Sequence, residues 1–493
     1  MASRALSSNE ELWQRASRTG TGLSVTTLRF ARTISLHQVD ASAALAASKH
    51  PILAAKILKV QKPKAHWEIR VQDGSAPHVR VVERKWADVL GDGADTLGAS
   101  ESEEALRLLT QAEMNLPLAL ADKDDEEATD VFQVHVYPSE LATCVVLRGH
   151  CAAFDRSSAL FVARGFLSSL AAVLAGSAPP SPHWPSSGVS LPPPLASLMP
   201  RGAQSKGLFS KVVDTVGYAV NSKSAMLPFQ PGCADSRKSR FQSEVISIQL
   251  SKEETDSLKA ACEARGSSLY GIECAAVLKA AAEELHLKKE ESFGVTSLID
   301  CRQHCDPPLS PSAIGVFDSG LPLKHSCSQA SSLWGIAGQL TQQVAAAVSK
   351  GKHFSELPVL EMLFGTVLNN PPLSPEHSLR TSFLTAFTDG PLPLDLTGHE
   401  GSALNGSTSN GSSNGSSAGD SADLAPLQLD GVMGPLVASH GIGPCIGMPD
   451  FIKNGALEVL LVYPNPLYSP AKMAEFAVLV KSNLLAAAAN QDV

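Results

Sequence analysis

His150-Cys151-Ala152-Ala153-Phe154-Asp155-Arg156 stands between two runs of opposite character. Before it, 142–148 (ATCVVLR) is short and rich in β-branched residues, which reads as a strand; after it, 157–174 has the apolar spacing of a helix. An imidazole and a thiol at such a strand end are both candidates for proton or acyl chemistry. Neutral imidazole accepts protons at physiological pH, whereas a thiol of ordinary pKa needs a cationic neighbour, here Arg148 or Arg156, to be reactive. Neighbouring residues on a strand point to opposite faces, so His150 and Cys151 do not substitute for one another without a shift of register.

Outward from this segment, the chain alternates strands and helices. Toward the N-terminus, 24–36, 67–71, 79–83 and 131–136 read as strands, and 38–48 as a helix with Asp40 as its N-cap, stopped at Pro51. Together with 157–174 they predict an α/β unit over 1–176. Prolines then crowd 177–203 (Pro179, Pro180, Pro182, Pro185, Pro192, Pro193, Pro194, Pro200), which excludes a helix or central strand and marks a crossover. With an amphipathic packing helix at 206–222, the linker spans 177–240. A second α/β unit, 241–493, opens with the strand FQSEVISIQL and a capping box of Ser251 and Glu254 before helix 252–264. It continues with helix 268–286 and strand 293–299, and ends with strand 456–463 and helix 470–487. The Gly/Ser/Asn repeats at 401–423 have almost no apolar content and read as a surface insertion; the sequons at Asn405, Asn410 and Asn414 are by-products of the repeat.

The 493 residues exceed one ordinary core, in keeping with two units. The net charge of -9, without a Lys/Arg block, gives no support to nucleic-acid binding. No stretch of about 20 uncharged apolar residues is present, so no membrane span is expected. Nine dispersed cysteines suggest reduced thiols and a cytoplasmic protein. Cys301, His304 and Cys305 are close in sequence but lack the partners of a zinc site, so no metal is expected. His304 and His440 read as solvated loop residues, and Asp389-Gly390 as a turn. Asp318 and Arg380 read as surface residues with no assignable task, and Gly441–Gly443 lacks the lysine of a phosphate loop.

The segment His150–Arg156 resembles the His-His-x-x-x-Asp-Gly signature of the chloramphenicol acetyltransferase, condensation-domain and BAHD acyltransferase superfamily. Other matches keep the family's order: His50-Pro51-Ile52-Leu53; the paired helices of 251–286; Asp300-Cys301-Arg302 at a strand end; Ala313-Ile314-Gly315. Gly441–Pro444, Gly455–Leu457 and Val462–Pro464 are similar to the C-terminal part of plant condensation-domain-like, alcohol acetyltransferase-like proteins. The resemblance covers most of the chain outside the insertion. It implies two acyltransferase-like α/β domains with mixed sheets and an interdomain tunnel. It also implies transfer of an acyl group from a CoA thioester, as co-substrate, to a small hydroxyl or amine acceptor, with no bound cofactor. In the family the second His is the general base and the Asp pairs with an arginine, which places an architectural ion pair between Asp155 and Arg302.

The match departs from the family where it matters most. Four residues before Asp155 stands Cys151; His150 aligns with the first, usually non-catalytic His; Arg156 replaces Gly; and Asp-Phe-Gly-Trp-Gly is absent. Three readings follow. His150 turns into the tunnel as a displaced base; or Cys151 takes the acyl group as a thioester; or the site is inactive and the fold binds a small molecule or protein.

Overall fold

In this computed structural model the described residues are 2–61, 65–71, 76–91, 102–117, 128–178, 183–184, 189–203, 224–231, 241–369, 382–394, 427–441 and 443–492. The packing helix expected at 206–222, the insertion at 401–423 and Arg380 lie outside them.

The first half supplies β1 (Leu23–Phe30), α1 (Leu36–Lys49), β2 (Arg80–Glu83), α2 (Glu103–Met114), β3 (Phe132–Pro138), β4 (Thr143–His150) and α3 (Arg156–Leu174). The second supplies β5 (Gln242–Gln249), α4 (Lys252–Arg265), α5 (Leu269–Glu284), β6 (Glu291–Asp300), β7 (Asp318–Cys327), α6 (Leu333–Ser349) and β8 (Leu384–Phe387). After these come β9 (Leu429–Val437), β10 (Ile446–Met448), β11 (Asp450–Lys453), β12 (Ala456–Asn465) and α7 (Pro470–Ala488).

Local chemistry sets several boundaries. The cap of α1 is Ser35, in a reciprocal box with Gln38, and not Asp40: Ser35 is extended while Asp40 already lies inside the helix. The Ser251–Glu254 box opens α4, and Gly266 in the left-handed region closes it. Strand β1 ends at Phe30 because Ser35 already begins α1, which leaves a short turn between.

Two sheets organise two lobes. The first runs β9-β1-β4-β3-β2; the second runs β7-β6-β8-β10-β12-β11, with β5 paired along β12. A smaller sheet joins Ser3–Ala5, His66–Val71, Ala55–Val60 and Ala128–Asp130. The second sheet is mixed: β6–β8 and β8–β10 are parallel, β6–β7 and β5–β12 antiparallel. The lobes do not follow the expected division of the chain. Strand β9, from within 241–493, crosses back and pairs with β1 in the first lobe. Its register shifts between Met433 and Leu436, where Gly434 adopts a φ of 101° and a Cβ would lie 2.3 Å from the Val25 carbonyl oxygen. Only glycine fits this bulge.

Two main cores result, the first of which also takes in Val245, Leu460 and Val462 from the second sheet. Val25, Leu28, Val134, Val145 and Phe166 belong to the first, which also takes in Val432 and Leu436 of β9; Ile272, Val277, Phe293, Leu461 and Phe476 belong to the second. Helix α3 is long and apolar enough to cross a membrane, but Leu160, Phe166, Leu167 and Leu170 lie in the first core.

Candidate functional site

The end of β4 fixes the two candidate residues differently. Leu23 of β1 lies opposite His150, whose backbone N–H donates to the Val131 carbonyl at 2.8 Å. The chain then turns: Ala153 and Phe154 both donate back to the His150 carbonyl, and Ala152 N–H donates to His150 Nδ1 at 3.0 Å. Gly149 is required here, since a Cβ would sit 2.8 Å from the Phe154 ring. The imidazole is therefore a structural acceptor inside the turn. It is 0% exposed, its Nε2 has no hydrogen-bond partner, and burial pushes its pKa down to about 3. The reading in which His150 enters the substrate space as a displaced base is corrected by this placement: the ring is packed inside the turn and does not line the cavity.

Cys151 points the other way, as strand alternation requires. It lines a cavity of about 150 Å³ between the two sheets. The first lobe contributes Ser24, Phe154, Asp155, Arg156 and the β9 residues Pro435 and Val437. The second contributes Leu298, Asp318, Thr385, Phe387 and Met448. The walls are largely apolar, with a few convergent polar groups, as small-molecule sites usually are. The Cys151 thiol is pushed far up from its ordinary pKa by burial, then by the Asp318 and Asp155 carboxylates.

The cationic activation expected for Cys151 is absent. Arg148 is turned into the first lobe, with its Nε 3.1 Å from Glu113 and further contacts to Gln133 and His135. Arg156 lines the cavity but is committed across the lobes: Nη2 lies 2.6 Å from Asp450 Oδ1, and the guanidinium stacks 4.2 Å from the Phe387 ring centroid. Behind it Glu273 is pushed well above the carboxyl range by burial and by Asp450.

Asp155 is the architectural centre of the site. Its Oδ1 caps α3 by accepting from Ser158 N–H at 2.7 Å, and its Oδ2 accepts from Phe317 N–H at 2.8 Å. Arg302 Nη2 stands 2.9 Å from Asp155 Oδ1, with both side chains almost fully buried. Arg302 also donates to the Ala313 carbonyl and lies 3.0 Å from Asp300. This cluster ties the turn after β4 to the second lobe.

Asp318, read from sequence as a surface residue, opens β7 directly across from Asp300 and faces the cavity. It is half-buried. Burial, then the Asp155 charge, raises its carboxyl to about 7. The flanking Gly315 and Gly320 make this stretch look like a turn in sequence; the signal for a strand was the alternation in Leu321-Pro322-Leu323-Lys324.

The remaining candidates have structural tasks. His440 Nδ1 lies 3.0 Å from Ser243 Oγ, and the His304 ring packs tilted against His353, with the centroids 4.8 Å apart. Cys301 and Cys305 are buried free thiols, and no metal-holding cluster of three side chains occurs among the described residues.

Residues 239–399 match the model of the phthiocerol/phthiodiolone dimycocerosyl transferase C-terminus. No curated protein matches the chain. Among solved structures, polyketide synthase associated protein 5 from Mycobacterium tuberculosis is similar at 15% identity and a TM-score of 0.62, covering 99% of this chain and 98% of that one. Trichothecene 15-O-acetyltransferase from Fusarium sporotrichioides gives 11% identity and a TM-score of 0.65, over 98% and 95%. The first condensation domain of the calcium-dependent antibiotic synthetase gives 12% and 0.60, over 99% and 97%. At these identities the likeness is one of fold.

Proposed function

We propose that this chain, whose two-lobed fold is that of the chloramphenicol acetyltransferase-like and condensation-domain superfamily, transfers an acyl group from a CoA thioester to a small alcohol or amine. The observation that carries the reading is the position of the cavity. It lies between the lobes on the strand-to-helix turn that resembles the family signature, with Asp155 and Arg302 locking that turn in place. An apolar enclosure suits such a transfer because it excludes the water that would otherwise hydrolyse the thioester.

Neither expected nucleophile-or-base route through the turn fits. His150 has no access to the cavity. The Cys151 thiol is disfavoured as a thiolate by burial and two carboxylates, so a covalent acyl-cysteine would have to form against the local field. The cysteine serves better as a wall of the cavity.

The test is release of free thiol from acetyl-, butyryl- and hexanoyl-CoA in the presence of mixed alcohols and amines. Turnover in the full chain, abolished when Cys151→Trp fills the cavity while the fold is retained, supports the reading. Saturable acyl-CoA binding without thiol release would favour the alternative, an inactive fold that binds small molecules. That alternative has its own observation: the family's base position holds a protonated thiol.

A further inference from the structure

Among the described residues that line the cavity there is no imidazole, yet there is one carboxylate without a close counter-ion. Three aspartates gather at this point: Asp155 before α3, Asp300 at the end of β6, and Asp318 at the start of β7. One guanidinium serves them. Arg302 lies 2.9 Å from Asp155 and 3.0 Å from Asp300, and its Nη2 also donates to Ser158 Oγ and to the Ala313 carbonyl. Among the described residues no Lys, Arg or His stands within ion-pair distance of Asp318; Arg302 acts on it only from further off, its close ion pairs being those with Asp155 and Asp300. Arg156, which lines the same cavity, is held by Asp450. Of the three, Asp318 is the carboxylate that lines the cavity without an ion-pair partner.

Its position is imposed from both sides. The backbone of Phe317 donates to Asp155 Oδ2 at 2.8 Å and accepts from Cys301 N–H at 2.8 Å, so the residue just before Asp318 is clamped between the turn after β4 and the end of β6. Asp318 therefore faces the same space as Cys151, the position four residues before Asp155.

We propose that Asp318 is the catalytic base of this site, accepting the proton of the alcohol or amine as it attacks the thioester. The inference rests on the acyl-transfer reading and deepens it. In the step, the acceptor oxygen or nitrogen forms a bond to the thioester carbonyl carbon while its proton passes to the Asp318 carboxylate. The tetrahedral adduct then expels the CoA sulfur, and the same proton returns from Asp318 to that sulfur. The products are an ester or amide and free CoA thiol; no redox partner is needed.

The electrostatics match the task. Burial and the neighbouring Asp155 hold the Asp318 carboxyl at about 7, where a base is both largely available and strong enough at neutral pH. The charged and titratable groups facing it are Asp155, Asp300, Arg302 and the Cys151 and Cys301 thiols, which its own charge helps to keep protonated. Because the carboxylate is the active form, turnover rises with pH through about 7.

The experiment measures kcat/KM for thiol release from hexanoyl-CoA, with the best acceptor, between pH 5.5 and 9 in the full chain. Asp318→Asn is expected to lower kcat/KM by about 100-fold or more and to remove the rise near pH 7. Its melting temperature should not fall below that of the wild type. Asp318→Glu, with a displaced carboxylate, should recover part of the rate and keep a rising limb. Turnover in Asp318→Asn within threefold of the wild type, with the same pH profile, would overturn this inference and leave the acyltransferase reading standing. Absence of thiol release from the wild type itself would sink both.

Discussion

Removing Asp155 or Arg302 tests whether the turn after β4 is held by their ion pair. The two side chains are 1% and 2% exposed and 2.9 Å apart. Breaking a buried pair by deleting one partner costs ~3–5 kcal/mol, because the other charge stays buried. For Asp155→Ser the hydroxyl can still cap α3, so the cap's ~1 kcal/mol is largely kept. The Phe317 N–H is orphaned at ~1–3 kcal/mol, and of its two carboxylates Arg302 retains Asp300 alone. Arg302→Leu leaves the Asp155 carboxylate with two backbone donors and no cation. We expect each single variant to lose ~3–5 kcal/mol. The double variant should lose little more than either, which gives a coupling energy of ~2–4 kcal/mol. Equilibrium urea unfolding followed by tryptophan emission reads both lobes, since Trp67 and Trp86 lie in the first and Trp334 in the second. A coupling below ~0.5 kcal/mol, the level seen for independent sites, would refute the claim that this pair locks the lobes.

Two further outcomes follow from the site. Cys151→His puts an imidazole at the cavity position from which His150 is excluded, and should raise thiol release by ~10-fold or more if a positioned base limits the rate; an unchanged rate would mean that something other than proton removal is limiting. His150, held neutral with a pKa near 3 against 6.5 when unfolded, contributes stability above pH 6.5 that is lost as pH falls toward 3. Between pH 7 and 5 this one group should cost ~2 kcal/mol, so His150→Gln should flatten the acid limb of the urea-unfolding curve by that amount. An identical pH dependence in the variant would show that the imidazole is not buried.

Much of this architecture was legible in the chain because local chemistry and tertiary packing agree there. The Ser251–Glu254 box, the β-branched run before His150 and the apolar spacing of 157–174 each specify an element unaided. Strand alternation also carried the separation of His150 from Cys151. What was missed depended on distant partners. Strand β9 carries Gly431, Gly434 and Pro435, residues of low strand propensity, and goes unread in the sequence; it is a strand because β1 supplies its ladder. Asp40 has the right chemistry for a cap, but Ser35 with Gln38 satisfies the same backbone donors a turn earlier. Asp318 reads in the sequence as a surface residue without a task because its importance lies in an imbalance of charge, three carboxylates against one guanidinium, assembled from segments some 160 residues apart.

The return of β9 to the first sheet has a consequence for how the molecule is made. About 280 residues separate its first residue from the end of β4, and synthesis at ~5–20 residues per second takes roughly 15–55 s to cover them. Through that interval the β1 edge is a finished template without its neighbour, open to strands of other nascent chains. A fragment ending at residue 240 would carry this defect permanently. The chain is thus two lobes in space but one unit of assembly, closed only when its C-terminal third has left the ribosome.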